Sequence, residues 1–211
     1  MKKIAIIGAN GKAGSALVTE ALNQGYEVTA IVRNESYQND KTQIIRKNLF
    51  ALTKDDLVKF DVVITAFAAW SDDTRGGHTT GLIHLSDLLS NTDTRLLVVG
   101  GAGSLYTDET HAIRLMDTPE FPAEYKPTAS AMAAGLDALR KRSDVKWSYL
   151  SPAAEFEPDL PRTGKYILGG EEFKLNSKGE SIISYADYAI AMIDEIKNAN
   201  FIQKRFSVLG E

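Results

Sequence analysis

The sequence predicts an α/β fold, a parallel sheet with helices on both faces. Two observations predict it. Short apolar runs alternate along the chain with amphipathic helical stretches, the pattern left by parallel strands and their crossover helices. The first of these runs ends at Ile7 and passes through a glycine-rich turn, Gly8-Ala9-Asn10-Gly11-Lys12-Ala13-Gly14, directly into the first helix.

Residues 3–7 form a buried strand on this reading. Residues 12–24 form a helix with Gly14, Leu17, Val18, Ala21 and Leu22 on one face and Gly25 as its stop. Residues 27–32 are a second strand and 42–46 a weaker third. Residues 53–58 form a short helix, with Thr53 and Asp56 at capping-box spacing. A fourth strand covers 61–66. Residues 78–90 are helical with Leu82, Leu85, Leu88 and Leu89 inward, and 95–100 are a fifth strand. A long helix spans 123–141, burying Ala129, Met132, Ala133, Leu136 and Leu139, and a sixth strand covers 145–150.

The character changes beyond Ser151. Three prolines interrupt residues 152–163. Residues 166–168 and 173–175 read as a hairpin around Gly169-Gly170. Residues 184–198 are a last helix opened by Ser184 and Asp187 as a capping box, and 206–209 a terminal strand. The expectation is one domain over residues 1–211, in which 151–211 are a small elaboration.

Bulk properties exclude several functions. The chain has 211 residues and a formal net charge of −4, without the basic footprint of a nucleic-acid binder. It has no cysteine, so disulfides, thiolate metal sites and cysteine nucleophiles are ruled out. His78, His84 and His111 lack metal-ligand spacing, and no metal is expected. The apolar run after Lys2-Lys3 is too short for a secretory leader, and no stretch approaches the roughly 18 apolar residues of a membrane span. These features predict a cytoplasmic monomer or homodimer with neither a nucleic-acid nor a membrane partner.

The glycine turn carries the chemistry. A pyrophosphate at such a point needs a tight turn, for which Gly8 and Gly11 supply conformational freedom. It needs backbone N–H groups within reach, and the positive end of a helix aimed at it. Gly14 lets that helix pack on the sheet. The spacing is GxxGxxG rather than GxGxxG. In its strand–turn–helix setting it predicts a Rossmann-type, doubly wound sheet that binds NAD(P).

The turn resembles the signature of the atypical and extended short-chain dehydrogenase/reductases. The segments at 97–105 (LVVGGAGSL), 121–127 (FPAEYKP), 151–154 (SPAA), 162–166 (RTGKY) and 183–189 (ISYADYA) narrow the likeness. Together they resemble the NAD(P)H-binding, NmrA-like bacterial proteins called putative NADH-flavin reductases, which are related to biliverdin-IXβ/flavin reductases. The resemblance implies cofactor contacts at Gly8, Asn10, Gly11, Lys12, Ala13, Leu49, Pro152 and Ala153. The family's usual Tyr-x-x-x-Lys pair is absent. Ala129 stands where a lysine would follow Tyr125, and counting back from the helix end puts the pair at Thr128 and Met132.

Further candidates follow from position. Arg33 ends the second strand, where an arginine favours the 2′-phosphate of NADP and an acidic residue the ribose of NAD; Glu35 keeps NAD open. Ala66, Phe67 and Ala68 follow the fourth strand, where small residues let backbone lie against a cofactor. Ser104 follows the fifth strand and is the candidate hydroxyl near the nicotinamide, a plain turn serine being the competing account. Tyr125, with Lys126, opens the next helix and is the second catalytic candidate. Trp70 and Tyr106 offer rings for stacking. Two functions remain open. One is an NAD(P)H-dependent reductase of a small planar acceptor such as a flavin or quinone. The other is a non-catalytic NmrA-like NAD(P) sensor.

Overall fold

The computed structural model describes residues 2–211. Strands β1 (Lys3–Ile7), β2 (Glu27–Val32), β3 (Gln43–Arg46), β4 (Val62–Thr65), β5 (Arg95–Val99) and β6 (Lys146–Ser151) lie parallel. Two short strands, β7 (Glu155–Glu157) and β9 (Ile182–Ser184), form a separate parallel pair. β8 (Ile167–Gly169) is antiparallel to β10 (Lys204–Leu209), which itself joins β6 in parallel. The main sheet has eight strands in the order β3-β2-β1-β4-β5-β6-β10-β8.

Alternation along each strand divides the core into two layers. Ile4 and Ile6 of β1 face α1 (Lys12–Asn23) and α6 (Tyr185–Asn198), packing with Leu17, Val18 and Ile193. Ala5 and Ile7 point the other way, toward α4 (Gly77–Leu89) and α5 (Lys126–Leu139), with Leu85 and Leu136. Strands covered on both faces need apolar residues at every position, which is why these runs are continuous rather than alternating. Short helices α2 (Lys54–Leu57) and α3 (Asp72–Arg75) lie in the connections. No helix among the described residues is long and apolar enough to cross a membrane.

The chain runs outward from β1 through β2 to β3, then returns to the other side of β1 and runs through β4, β5 and β6. This reversal opens a crevice at the carboxyl ends of β1 and β4, where open α/β sheets bind ligands.

The structure corrects two expectations. The hairpin around Gly169-Gly170 does not form. Residues 167–169 pair instead with the free edge of β10, Leu168 opposite Val208. Beyond the glycines the chain turns to Tyr106, whose N–H donates to the Glu171 carbonyl (2.9 Å) and whose carbonyl accepts from Phe173 N–H (2.8 Å). Both arms find better partners than each other. The capping box at α6 is half formed. Ser184 Oγ accepts from Asp187 N–H at 3.0 Å. The Asp187 carboxylate turns away to Thr163 and Gly164, accepting from both N–H groups and from Thr163 Oγ1 at 2.7–3.1 Å. The expected box at α2 is built around Asp56, which accepts from Thr53 N–H and Thr53 Oγ1.

Candidate functional site

The turn after β1 is tight for two different reasons. Gly8 has φ +76°, and a Cβ there would lie 2.7 Å from the Ala66 carbonyl oxygen. Its N–H donates to Ile31 O at 2.9 Å, tying the turn to β2. Gly14 is required by approach, since its Cβ would come within 2.1 Å of Gly8 O. Gly11 departs from the expectation of special dihedrals. Its φ is −76°, open to any residue, and a Cβ would meet only Gly8 O at 3.3 Å. Gly11, Asn10 and Lys12 are exposed and Ala13 half-buried. No side chain caps α1, and its first turn holds no acidic residue. The helix therefore presents its N-terminal N–H donors and positive end to the crevice. This donor set, beside a glycine whose missing side chain leaves room, fits a pyrophosphate.

Arg33 follows β2 and is exposed. Glu35 is engaged by Arg46, with 3.8 Å between the charged groups and an Arg46 Nε bond to the Glu35 carbonyl. Leu49 is buried, its side chain pressed against Gly81 of α4. Asn48 accepts from Phe50 N–H at 3.0 Å and so shapes this turn.

After β4, Ala66 and Phe67 are half-buried and Ala68 is exposed. Phe67 meets His78 edge-on at 5.3 Å. His78 Nε2 lies 3.2 Å from the Ala69 nitrogen and 3.0 Å from its oxygen. Burial pushes the His78 pKa down, favouring the neutral ring. Arg75 of α3 donates through Nη2 to the Trp70 carbonyl (3.0 Å) and through Nε to Thr128 Oγ1 on α5 (3.2 Å).

Ser104 follows β5, is buried, and its Oγ has no hydrogen-bond partner among the described residues. Buried hydroxyls are normally satisfied, so this orphan is a candidate contact, one that a ligand reaches only through a local shift because the Oγ is closed to solvent. Its carbonyl accepts from Arg205 Nη2 at 3.3 Å. The Arg205 side chain is wholly buried, also reaches Ser151 Oγ at 3.3 Å, and pairs with Glu171. It thus joins the ends of β5 and β6 to the C-terminal elaboration. Gly101 N–H donates to the Tyr149 hydroxyl at 3.3 Å, and burial pushes Tyr149 up to about 12. Pro152 and Ala153 are buried after β6.

Tyr125 is the N-cap of α5 and is 53% exposed. The two positions counted for a tyrosine–lysine pair are unlike it. Thr128 is buried under Arg75, and Met132 packs near Gly101. Sequence reasoning assigned no role to Arg75 or Arg205. Arg205 carried little signal, since it falls just before the strand expected at 206–209 and beside another basic residue, Lys204. Arg75 carried none, since Ser71-Asp72-Asp73-Thr74-Arg75 reads as polar loop. Among the described residues no group of three or more acidic or histidine side chains could hold a metal ion.

A parallel sheet of this order, with a glycine turn and an uncapped helix at its point of reversal, defines a Rossmann-type protein. The chain belongs to the NAD(P)H-binding family, whose profile matches residues 8–199. It is 48% identical over 210 residues to the uncharacterized protein YwnB of Bacillus subtilis, covering 99% of each chain. It is 52% identical to a putative NADH-flavin reductase from Streptococcus pneumoniae, whose crystal structure superposes with a TM-score of 0.97 over 100% of both chains. A short-chain dehydrogenase/reductase from Veillonella parvula, solved with NADP, shares the fold at 18% identity and a TM-score of 0.71, over 100% of this chain and 94% of that one.

Proposed function

We propose that the protein is an NADPH-dependent oxidoreductase that reduces a small planar acceptor, a flavin or quinone. The observation that carries this reading is the pairing of an open dinucleotide turn with an α5 that has no tyrosine–lysine acid. The nicotinamide, when bound, supplies hydride to the acceptor. The chain's own residues bind and orient. The α1 N–H groups and the backbone at Gly8–Ala13 hold the pyrophosphate, and the backbone after β4 and β6 flanks the rest of the dinucleotide. Ser104 Oγ offers its unused hydrogen-bonding capacity beside the reacting ring. Buried Thr128 and half-buried Met132 give no strong proton donor, which suits an acceptor that takes hydride without simultaneous protonation of an alkoxide. The S. pneumoniae relative, described as a putative NADH-flavin reductase, supports the same class of acceptor.

Preference for the phosphorylated cofactor rests on Arg33, which is exposed at the end of β2 while Glu35 is drawn to Arg46. An arginine–phosphate pair is charge-assisted and commonly bidentate. Arg33→Ala is expected to weaken NADPH by roughly tenfold to a hundredfold, the equivalent of 1.5–3 kcal/mol, and NADH much less. Steady-state oxidation of NADPH with a panel of flavins and quinones tests the reaction, and titration of both cofactors tests the preference. Tight NADPH binding with every acceptor inert would replace this reading with that of an NAD(P) sensor. Tighter NADH than NADPH would assign the ribose to Glu35.

A further inference from the structure

The loop after β4 is built in a way that cofactor binding alone does not require. Trp70 is 65% exposed, the most open of the large apolar side chains described. Yet the backbone beneath it is pinned on both sides. Ala69 is buried and held by His78. The Trp70 carbonyl is held by Arg75 Nη2 at 3.0 Å. An indole presented from fixed backbone is a stacking surface whose backbone ordering cost has already been met.

Arg75 is the second observation. Its guanidinium spans from α3 to α5, bonded to Thr128 Oγ1 at 3.2 Å. Its ion-pair partner Asp72 lies at 2.6 Å but is 90% exposed, whereas the Arg75 side chain is only 21% exposed. Asp72 is the solvent-side partner of that pair, so the pair itself contributes little, and the bonds to Trp70 and Thr128 fix where the guanidinium stands. It stands over the α5 position that lacks an acid.

We infer that Trp70 and Arg75 form the acceptor platform, with Trp70 stacking an isoalloxazine ring and Arg75 holding the negative charge that the ring gains. This rests on the reductase reading. An isoalloxazine accepts hydride at N5 as the C4–H bond of the dihydronicotinamide breaks and the N5–H bond forms. The two electrons arrive with one proton, so the ring becomes an anion with its charge over N1 and the C2 carbonyl, and water protonates it later. A guanidinium at that edge stabilises the anion, and no protein acid is needed.

Two measurements test the inference separately. The first is riboflavin binding to the NADP⁺-saturated protein, which cannot turn over, read by quenching of flavin fluorescence. Saturable quenching is expected. Trp70→Ala should weaken it by roughly tenfold or more, as for other rings stacked on aromatic side chains, and Trp70→Phe should keep most of it. Absence of saturable quenching, or unchanged affinity in Trp70→Ala, overturns the platform. The second is NADPH oxidation at saturating riboflavin. Arg75→Gln should lower kcat by roughly tenfold with little change in NADPH affinity, and Arg75→Lys should recover part of the loss. Equal kcat in Arg75→Gln and the parent overturns the role of Arg75. Trp70-dependent binding without any oxidation by the parent would overturn the reductase reading and the Arg75 role with it, while the stacking platform would stand.

Discussion

The three glycines of the first turn do different work, and substitution should separate them. Gly8 and Gly14 are fixed by the fold, one through its positive φ and both through contacts that a Cβ would make below 3 Å with backbone. Gly14→Ala should therefore destabilise the protein by about 1–3 kcal/mol through overpacking. Gly11 is different, because its dihedrals suit any residue and its Cβ would crowd a single atom, Gly8 O at 3.3 Å, a contact that a small shift of the turn relieves. Gly11→Leu is expected to remain folded, with unchanged circular dichroism and melting temperature, and to lose NADPH binding because the new side chain fills the space before α1. Parental affinity in a folded Gly11→Leu protein would place the dinucleotide elsewhere. Asp56 offers a residue-level test of stability. Its carboxylate accepts from Lys47 Nζ at 2.7 and 2.9 Å and from Thr53, which holds its pKa down at about 2. A depressed carboxylate stabilises the fold above its unfolded pKa and loses that contribution as pH falls through the folded value. The parent should exceed Asp56→Asn by about 1 kcal/mol near neutral pH, a figure reduced for the partial exposure of Lys47, and the gap should close between about pH 4 and pH 2. Urea midpoints for both proteins across that range check the sign.

At the scale of elements, the end of the loop that follows β7 hangs on one carboxylate. Asp187 is buried at the start of α6 and satisfies the N–H groups of Thr163 and Gly164 together with Thr163 Oγ1. Asp187→Ala leaves those donors without their acceptor and should cost about 2–4 kcal/mol, lowering Tm by roughly 5–10 °C. A change within 1 °C in differential scanning calorimetry would mean that water replaces the carboxylate at no cost (about 0.5 kcal/mol at most). The same region marks the limit of what the sequence disclosed. β1, β2, β4 and β5 were legible because strands buried on both faces are written as mainly apolar runs, β6 because Val145, Trp147 and Tyr149 alternate, and α1, α4 and α6 because their apolar stripes are long. β7 and β9 span three residues each, too few for any period to register. The expected hairpin failed because Gly169-Gly170 signals a turn without saying which strand edge lies nearby. At the candidate site, the glycine turn was legible from its spacing and setting. The part of Arg205 in holding the Ser104 carbonyl and Ser151 was not, since these residues are far apart in sequence and meet only after the sheet forms.

The whole molecule is organised around one sheet that takes strands from both ends of the chain. β10 pairs with β6, and β8 closes the edge, so residues beyond Ser151 contribute to the same sheet as β1. Arg205 then ties the β5 and β6 ends to Glu171, on the side of the crevice opposite the glycine turn. On the proposed reading, the crevice has dinucleotide donors at α1, an unsatisfied Ser104 hydroxyl after β5, and an aromatic and a cation after β4. No tyrosine–lysine acid stands on α5. That combination suits hydride transfer to a flat acceptor better than interconversion of alcohol and ketone. The most direct test is anaerobic stopped-flow mixing of the NADPH complex with riboflavin. The account predicts that nicotinamide and flavin absorbance fall together, in equal amounts, at a rate that saturates with riboflavin. NADPH bound at the Gly11 turn while neither absorbance changes would contradict it.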